Sequence, residues 1–283
     1  MDIHLKEVAP GSPANLLFCC RKEVPGGCVL LDFSGVYRMM RTPPGTLVDC
    51  RGIEGTSCYC DAAAAEEIAH RIASLPLRAV HFLDSGDYHY LTRLWTARIG
   101  RPYALVLLDN HPDMQAPVFP GVMSCGGWVR DILAGDPFCR KVLVVGTDPA
   151  LAGEAGETDG RVLLLDRRLP AGVQRREAEA FLSDGLPLYL SIDKDVLSSR
   201  WAATDWSQGE MDLDGLCGFL RCVGEGRAVI GADVCGELPL GKGGSPQAWE
   251  CNAVANEKLL AILDEILRNS DDFIVSLFSI DNE

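Results

Sequence analysis

The sequence predicts an α/β fold: a doubly wound three-layer sandwich on a mostly parallel sheet of about eight strands, in a single domain over residues 1–283. Short apolar runs rich in Val, Leu and Ile recur along the chain. Continuous runs of this length are typical of strands buried on both faces, as in a parallel sheet covered by helices. Stretches with a helical pattern lie between the runs, and no linker, repeat or low-complexity tract divides the chain.

The apolar runs are the predicted strands. They are Cys28–Phe33, Ala79–Leu83, Tyr103–Leu108, Val142–Val145, Val162–Leu165, Leu188–Ile192, Ala228–Ala232 and Phe273–Phe278. Helices are predicted over Ala62–Ala73, Arg176–Leu182, Asp212–Leu220 and Asn256–Leu267. Asp61 is the expected N-cap of the first helix, because its carboxylate can accept a hydrogen bond from a free backbone N–H. Gly241–Pro246 and Ala150–Gly160 are predicted loops.

Composition excludes several classes of partner and predicts a cytoplasmic protein. The net charge of −14 argues against sequence-independent binding to nucleic acid or to an anionic membrane. The N-terminus is charged where a secretory signal needs an apolar stretch, and no apolar run approaches the roughly 20 residues that cross a bilayer. The twelve cysteines, six of them between Cys19 and Cys60, are therefore expected to be reduced thiols. Neither Cys19-Cys20 nor Cys58-x-Cys60 has the spacing of a structural zinc site.

Polar side chains follow three of the predicted strands at the point where each strand ends. Asp109-Asn110-His111-Pro112-Asp113 follows Tyr103–Leu108, Asp193-Lys194-Asp195 follows Leu188–Ile192, and Asp84-Ser85-Gly86-Asp87-Tyr88-His89 follows Ala79–Leu83. In doubly wound sheets, ligands bind beyond the carboxyl ends of the strands. The three segments therefore predict a site at that edge of the sheet.

The spacing of the acidic residues predicts metal binding. Residues i, i+2 and i+4 of an extended chain project to one side, so Asp109, His111 and Asp113 can converge, as can Asp193 and Asp195. Carboxylates packed this closely repel one another unless cations lie among them, and two divalent ions would balance the charge. Oxygen ligands with some imidazole suit manganese, with cobalt, nickel, iron and zinc as competitors. A lone Asp-x-Asp is usually a turn feature. Here an Asp-x-His-x-Asp motif and an Asp-x-Asp motif each follow a buried strand, and together they favour a two-metal hydrolase site.

These motifs resemble those of the arginase/agmatinase (ureohydrolase) superfamily. Asp109-x-His111-x-Asp113 is similar to its Asp-Ala-His-x-Asp signature, Ser191-Ile192-Asp193-x-Asp195 to its Ser-x-Asp-x-Asp signature, and Ser85–His89 to its Gly-Gly-Asp-His motif. The motifs also come in the same order, and the resemblance extends to the C-terminus. It implies a divergent member of the superfamily, with a single α/β domain and a parallel eight-stranded sheet.

The resemblance also implies the ligands and the chemistry of the site. One metal ion is expected among His89, Asp109, Asp113 and Asp193, and a second among His111, Asp109, Asp193 and Asp195, with Asp109 and Asp193 bridging. Two divalent ions, most often Mn²⁺, would supply a bridging hydroxide that attacks the carbon of a C–N bond in a small guanidino, amidino or amide compound. Asp113 is the candidate that passes a proton to the leaving amine. Members of the family commonly form symmetric oligomers, which makes a homo-oligomer a further expectation.

Several positions depart from the family pattern. Tyr88 adds one residue before His89, and Glu237, the candidate for binding a guanidinium group, comes one position late after Asp233. Trp128 stands where arginases carry a proton-shuttling histidine, so the chain is not expected to be an arginase.

Other candidate substrate contacts have simple structural alternatives. Ser124 can bind a substrate acceptor or make a turn, and Arg130 can pair with a substrate carboxylate or lie exposed on a helix. Trp201 and Trp206 can shape the pocket or pack onto the core. Two other functions also remain open: a single-zinc, deacetylase-like amidohydrolase, which has one Asp/His/Asp set, and a non-catalytic binding protein that keeps the fold.

Overall fold

A computed structural model describes residues 28–156 and 160–270 of the chain. The strands of its main sheet are β1 (Cys28–Asp32), β2 (Gly45–Asp49), β4 (Val80–Phe82), β5 (Tyr103–Leu108), β7 (Cys139–Thr147), β8 (Val162–Asp166), β9 (Leu188–Asp193) and β10 (Val229–Cys235). Their order is β2-β1-β4-β10-β9-β5-β7-β8, and every neighbouring pair is parallel. A short antiparallel ribbon joins β3 (Tyr59–Cys60) to β6 (Met123–Ser124).

Helices cover both faces of the sheet. They are α1 (Ala62–Ile72), α2 (Leu91–Thr96), α3 (Trp128–Gly135), α4 (Ala171–Phe181), α5 (Leu213–Gly224) and α6 (Pro246–Asn269). Residues of α1, α2 and α3 share one apolar core with Leu105 and Leu107 of β5, whereas α4, α5 and α6 share the other core with Ala104, Val106 and Leu108. This alternation explains why β5 is apolar at every position, and each fully buried Leu or Val contributes about 1.5–3 kcal/mol.

The predicted α/β fold is confirmed, and seven of the eight predicted strands are found in the sheet. Seven of the apolar runs coincide with strands of the sheet, while Phe273–Phe278 lies outside the described residues. The eighth strand is β2, which the sequence analysis missed. Its residues are half-buried or exposed at the edge of the sheet, so it lacks the continuous apolar run of a buried strand.

The helix predictions agree with the structure at the starts of α1 and α5, whereas α4 begins at Ala171 instead of Arg176. Asp61 caps α1 as expected, accepting a hydrogen bond from the Ala64 N–H. The last helix begins at Pro246 instead of Asn256, because Ser245 caps it and proline fits the first turn, where no N–H is needed. No helix among the described residues is both long and apolar enough to cross a bilayer.

The strand order places the predicted polar segments side by side. The four strands β4, β10, β9 and β5 are consecutive neighbours at the centre of the sheet. Since they are parallel, the segments that follow them leave the same edge. The fold therefore brings together residues that are more than a hundred positions apart, such as His89 and Ser191.

Candidate metal centre

A pocket with a volume of about 200 Å³ opens at this edge of the sheet. The acids Asp109, Asp113, Asp193 and Asp195, which we call the pocket acids, line it together with His89 and His111. Its remaining lining residues are Cys58, Tyr59, Gly86, Gln115, Ala116, Val118, Ser124, Cys125, Gly126 and Trp206. Every predicted metal ligand thus reaches one pocket.

The segment after β5 converges by turning, not by staying extended. The Asp109 carboxylate accepts a hydrogen bond from the backbone N–H of His111 at 2.6 Å. Asp113 then takes a left-handed backbone conformation, with a φ of 51°. This conformation is uncommon for a residue other than glycine, and Asp tolerates it better than most. The prediction that these side chains converge holds, but the extended geometry assumed for it is wrong.

A second turn arranges the acids after β9. Asp193 caps a 3-10 turn over Lys194–Val196 by accepting a hydrogen bond from the Asp195 N–H at 2.8 Å. The Asp195 carboxylate accepts a hydrogen bond from the Asn110 N–H and lies 2.8 Å from Nδ1 of His111. The two segments are therefore held against each other through Asp195.

His89 joins the pocket acids from the β4 side. Its Nδ1 lies 3.0 Å from Oδ2 of Asp113 and 3.2 Å from Oδ2 of Asp109. Its Nε2 lies 2.9 Å from the Ser191 hydroxyl, which in turn donates to Asp233 at 2.6 Å. Since that hydroxyl donates to Asp233, it accepts from His89, and the network assigns the proton to Nε2. Nδ1 then faces two carboxylates, so a proton or a metal ion is needed between them. Although burial favours the neutral ring, the neighbouring thiol and the two carboxylates raise the pKa of His89 well above its usual value.

The inserted residue Tyr88 does not displace His89 from the site. Tyr88 lies on a 3-10 turn over Gly86–Tyr88, and its ring stacks on Phe33 with centroids 4.3 Å apart. The turn absorbs the extra residue and leaves His89 at its end, fully buried.

Burial and mutual repulsion shift the proton affinities of the pocket acids. Burial and the neighbouring Asp195 raise the pKa of Asp193 to about 6, and burial and Asp109 raise that of Asp195 to about 7. Burial also raises the pKa of Asp113. Although burial favours a neutral imidazole, the carboxylates around His111 raise its pKa above the usual value. Protons and metal ions would therefore compete for these groups.

Possible ligand atoms form three close groups among the described residues. They are His89 with Asp109 and Asp113, Asp109 with His111 and Asp195, and His89 with Asp193 and Cys235. Within each group the ligand atoms lie within 4.8 Å of one another. Asp109 belongs to two of the groups, whereas Asp193, the other residue expected to bridge, belongs only to the group with His89 and Cys235. Cys235 was not anticipated, because a cysteine within an apolar strand resembles a core residue.

Two predicted substrate contacts lie away from the pocket. Glu237 is fully buried behind the β10 end, where its carboxylate pairs with Lys194 at 2.6 Å. Arg130 donates to the backbone carbonyls of Met114 and Glu154, so its guanidinium braces two loops. The proposed roles of Glu237 with a guanidinium and of Arg130 with a carboxylate are therefore not supported, because both side chains already have protein partners.

The tryptophans and Ser124 divide between pocket and core. Ser124 and Trp206 line the pocket, and the Trp206 indole N–H donates to Asp87 at 3.0 Å. Trp201 instead packs against the apolar core. Trp128 is fully buried, and its indole N–H donates to Oδ2 of Asp113 at 2.6 Å. The residue at the position of the expected shuttle histidine thus orients a predicted metal ligand.

Comparisons with known proteins give one relative in sequence and several in fold. No family model matches the sequence. A *Thermotoga maritima* protein described as uncharacterized is 32% identical over 219 residues, which is 76% of this chain and 81% of that protein.

Solved structures of several enzymes share the fold at low sequence identity. Formimidoylglutamase from *Bacillus subtilis* superposes with a TM-score of 0.63 at 14% identity, covering 87% of this chain and 88% of that one. Agmatine ureohydrolase from *Thermoplasma volcanium* gives 0.61 at 11% identity, covering 89% and 94%. *Trypanosoma cruzi* formiminoglutamase, solved with Mn²⁺, gives 0.57 at 16% identity, covering 88% and 96%.

Proposed function

We propose a hydrolytic function for this chain, which belongs to one family with the *Thermotoga maritima* protein and has the fold of the arginase/agmatinase superfamily. The reaction is hydrolysis of a carbon–nitrogen bond in a small guanidino, amidino or amide compound. The observation that carries the proposal is the convergence of four buried carboxylates and two imidazoles on one pocket. A protein rarely buries so many acids together unless cations neutralise them.

Two divalent metal ions fit the residues of the pocket. His89, Asp109, Asp113 and Asp193 would hold one ion, and His111, Asp109, Asp193 and Asp195 the other. The fit rests on Nδ1 of His89, which faces the carboxylates of Asp109 and Asp113 while Nε2 donates to Ser191. A metal ion would replace the proton that Nδ1 shares with these carboxylates. When bound, two such ions supply Lewis acidity and a nucleophile from water at neutral pH. Manganese is the first ion to test, since oxygen and imidazole donors suit it.

Asp113 is the residue best placed to hold the proton that the leaving nitrogen needs. It lines the pocket, and burial raises the pKa of its carboxyl group. The Trp128 indole fixes Oδ2 through a hydrogen bond, so the carboxyl group is held in one orientation. A carboxyl group that is held in one orientation and has a raised pKa is suited to general acid catalysis.

The lining of the pocket favours a neutral or cationic substrate. Among the described lining residues there is no Lys or Arg to pair with a carboxylate, and Arg130 is occupied elsewhere. Gln115, Ser124 and Tyr59 offer neutral hydrogen-bonding groups, and Val118 and Trp206 offer apolar surface. The substrate therefore carries an uncharged or positive group at this end, unlike an amino acid with a free carboxylate.

The test combines metal analysis with a substrate panel. Purified protein is reconstituted with manganese, zinc and nickel, desalted, and assayed for metal content and for urea or ammonia release from guanidino, amidino and amide compounds. Asp193→Asn is compared with Asp166→Asn, which alters an acid at the end of an edge strand outside the pocket.

We expect about two ions per wild-type chain and turnover that Asp193→Asn abolishes and Asp166→Asn preserves. A single zinc would point to deacetylase-like chemistry instead. Absence of bound metal, or unchanged turnover in folded Asp193→Asn, would refute the proposal.

A further inference from the structure

Cys235 places a thiol inside the proposed metal centre. It is the last residue of β10, it pairs in register with Asp193 of β9, and it is fully buried. Its Sγ donates a hydrogen bond to Oδ2 of Asp193 at 3.0 Å. A thiol that points at a carboxylate, with an imidazole beside it, is chemically different from the buried cysteines of an apolar core.

The spacing of these donors suits a single metal ion. The ligand atoms of His89, Asp193 and Cys235 lie within 4.8 Å of one another, and Nδ1 of His89 is 3.7 Å from Oδ2 of Asp193. Donors that share one tetrahedral zinc ion lie about 3.4–3.6 Å apart, given their usual bond lengths. The Cys235 sulfur lies 3.0 Å from Oδ2 of Asp193, slightly below that range, and Nδ1 of His89 lies 3.7 Å from the same oxygen, slightly above it.

Glycine at position 236 permits the close approach of the two strand ends. Gly236 has a φ of 88°, and a Cβ added there would lie 2.5 Å from Oδ1 of Asp193 and 2.8 Å from the Lys194 backbone nitrogen. Any other residue would push β10 away from Asp193. The chain thus keeps the Cys235 thiol against the Asp193 carboxylate.

The two sides of the centre differ in their donors. The group on the His111 side contains only imidazole and carboxylate atoms, from His111, Asp109 and Asp195. The His89 side has the same donor types plus the sulfur of Cys235. Thiolates favour zinc and other borderline or soft ions, whereas carboxylates suit manganese.

We propose that Cys235 binds metal as a thiolate on the His89 side, which makes that position prefer Zn²⁺ or Co²⁺ over Mn²⁺ more strongly than the His111 side does. The inference rests on the metal centre of the proposed function. On binding, the metal ion would replace the proton that the Cys235 thiol now donates to the Asp193 carboxylate, and that proton would leave to solvent. The centre is therefore a mixed one, with a sulfur-ligated ion beside an ion held by oxygen and nitrogen.

Cobalt substitution tests the sulfur ligand without any substrate. The full chain is loaded with Co²⁺, and the near-ultraviolet thiolate-to-cobalt charge-transfer band is compared in wild type, Cys235→Ser and Cys125→Ser. Cys125 is the matched control because it is also buried and lines the pocket at which the proposed metal centre lies. We expect the band in wild type and Cys125→Ser, and its loss in Cys235→Ser.

The preference for zinc over manganese should change with the sulfur. Zinc binds more tightly than manganese at most protein sites, so the informative quantity is the difference between variants. We expect the Zn²⁺/Mn²⁺ affinity ratio to fall by about 10–100-fold in Cys235→Ser, the range seen when a metal's supporting groups are removed. A ratio equal to that of wild type would overturn the proposal.

A second measurement on wild type covers the case in which Cys235→Ser does not fold. X-ray absorption at the zinc edge should detect a sulfur scatterer at about 2.3 Å, beside nitrogen and oxygen at about 2.0–2.2 Å. A spectrum with nitrogen and oxygen alone, or a cobalt band that persists in Cys235→Ser, refutes sulfur ligation. Sulfur ligation without hydrolysis of any compound would instead refute the proposed function and leave this inference standing.

Discussion

Buried acids of two kinds lie at the same edge of the sheet, only a few residues apart. Asp193 and Asp195 face the pocket, while Lys194 between them faces the opposite way and pairs with Glu237. The Glu237 carboxylate also accepts hydrogen bonds from the side-chain amides of Asn252 and Asn256 on α6. The pocket acids have no Lys or Arg partner among the described residues, and their nearest cationic groups are the two histidines.

The difference lies in what neutralises each kind of acid. The charge of Glu237 is neutralised by Lys194 of the same chain, so no added ion is needed there. The four pocket acids carry more negative charge than the two histidines can balance, so charge balance there needs added cations or protons. Asp109→Asn and Glu237→Gln delete one charge on each side with little change in size.

The largest expected effect is the loss of activity in Asp109→Asn. Asp109 belongs to two of the ligand groups, so its removal should weaken both metal positions and lower kcat/KM by about 10³-fold or more. Without metal, the variant should be at least as stable as wild type, because one of four mutually repelling charges is gone. Metal content, turnover and urea unfolding with a chelator present check this. A clearly less stable metal-free variant would show that Asp109 is a structural acid like Glu237.

Glu237→Gln should have the opposite outcome. It leaves Lys194 buried without its counter-charge, which is expected to lower the free energy of unfolding by about 3–5 kcal/mol. Folded chains should still bind about two metal ions, as proposed for wild type. Chemical unfolding and metal analysis of the folded fraction check both parts. Unchanged stability with loss of metal would place Glu237 in the metal centre and contradict the distinction between Glu237 and the pocket acids.

The contrast also marks how far the sequence alone could predict the site. The convergence of the candidate metal ligands on one pocket was predicted because three motifs follow buried strands, and parallel strands end at one edge. Glu237 was assigned to the pocket from the family resemblance, which expects an acid shortly after Asp233. Sequence position could not show that the chain turns after Gly236 and directs Glu237 towards Lys194 on the other side.

Other features depended on partners that are distant in the sequence. The fold class followed from the apolar runs, but the edge strand β2 lacks such a run and was missed. The link from His89 through Ser191 to Asp233 joins three strand ends, and no local pattern reveals it. The hydrogen bond from Trp128 to Asp113 likewise spans a loop and a ribbon strand.

A smaller effect is expected when the support of His89 is removed. Ser191→Ala deletes the hydroxyl that accepts from Nε2 of His89, so the ring loses its fixed orientation and metal affinity should fall by about 10–100-fold. Thr147→Val is the matched control, because its buried hydroxyl makes no hydrogen bond among the described residues. Competition with a chelator of known affinity measures the change. Equal affinities in the two variants would mean that the pocket acids alone determine binding.

The smallest effect, counted per group over a single pH unit, is the pH dependence of the metal-free protein. Asp193 and Asp195 have pKa values of about 6 and 7 when folded, above their usual value of 3.8, so the folded state binds more protons than the unfolded state. The free energy of unfolding should therefore fall as pH rises from about 4 to 7, by up to about 1.4 kcal/mol per pH unit for each group. Metal ions compete with these protons, so the stability gained from metal should grow over the same range. Unfolding titrations across this range, with and without a chelator, measure both trends. If the stability of the metal-free protein rose with pH over this range, the pocket acids would have enough protein partners to remain ionised, as Glu237 has.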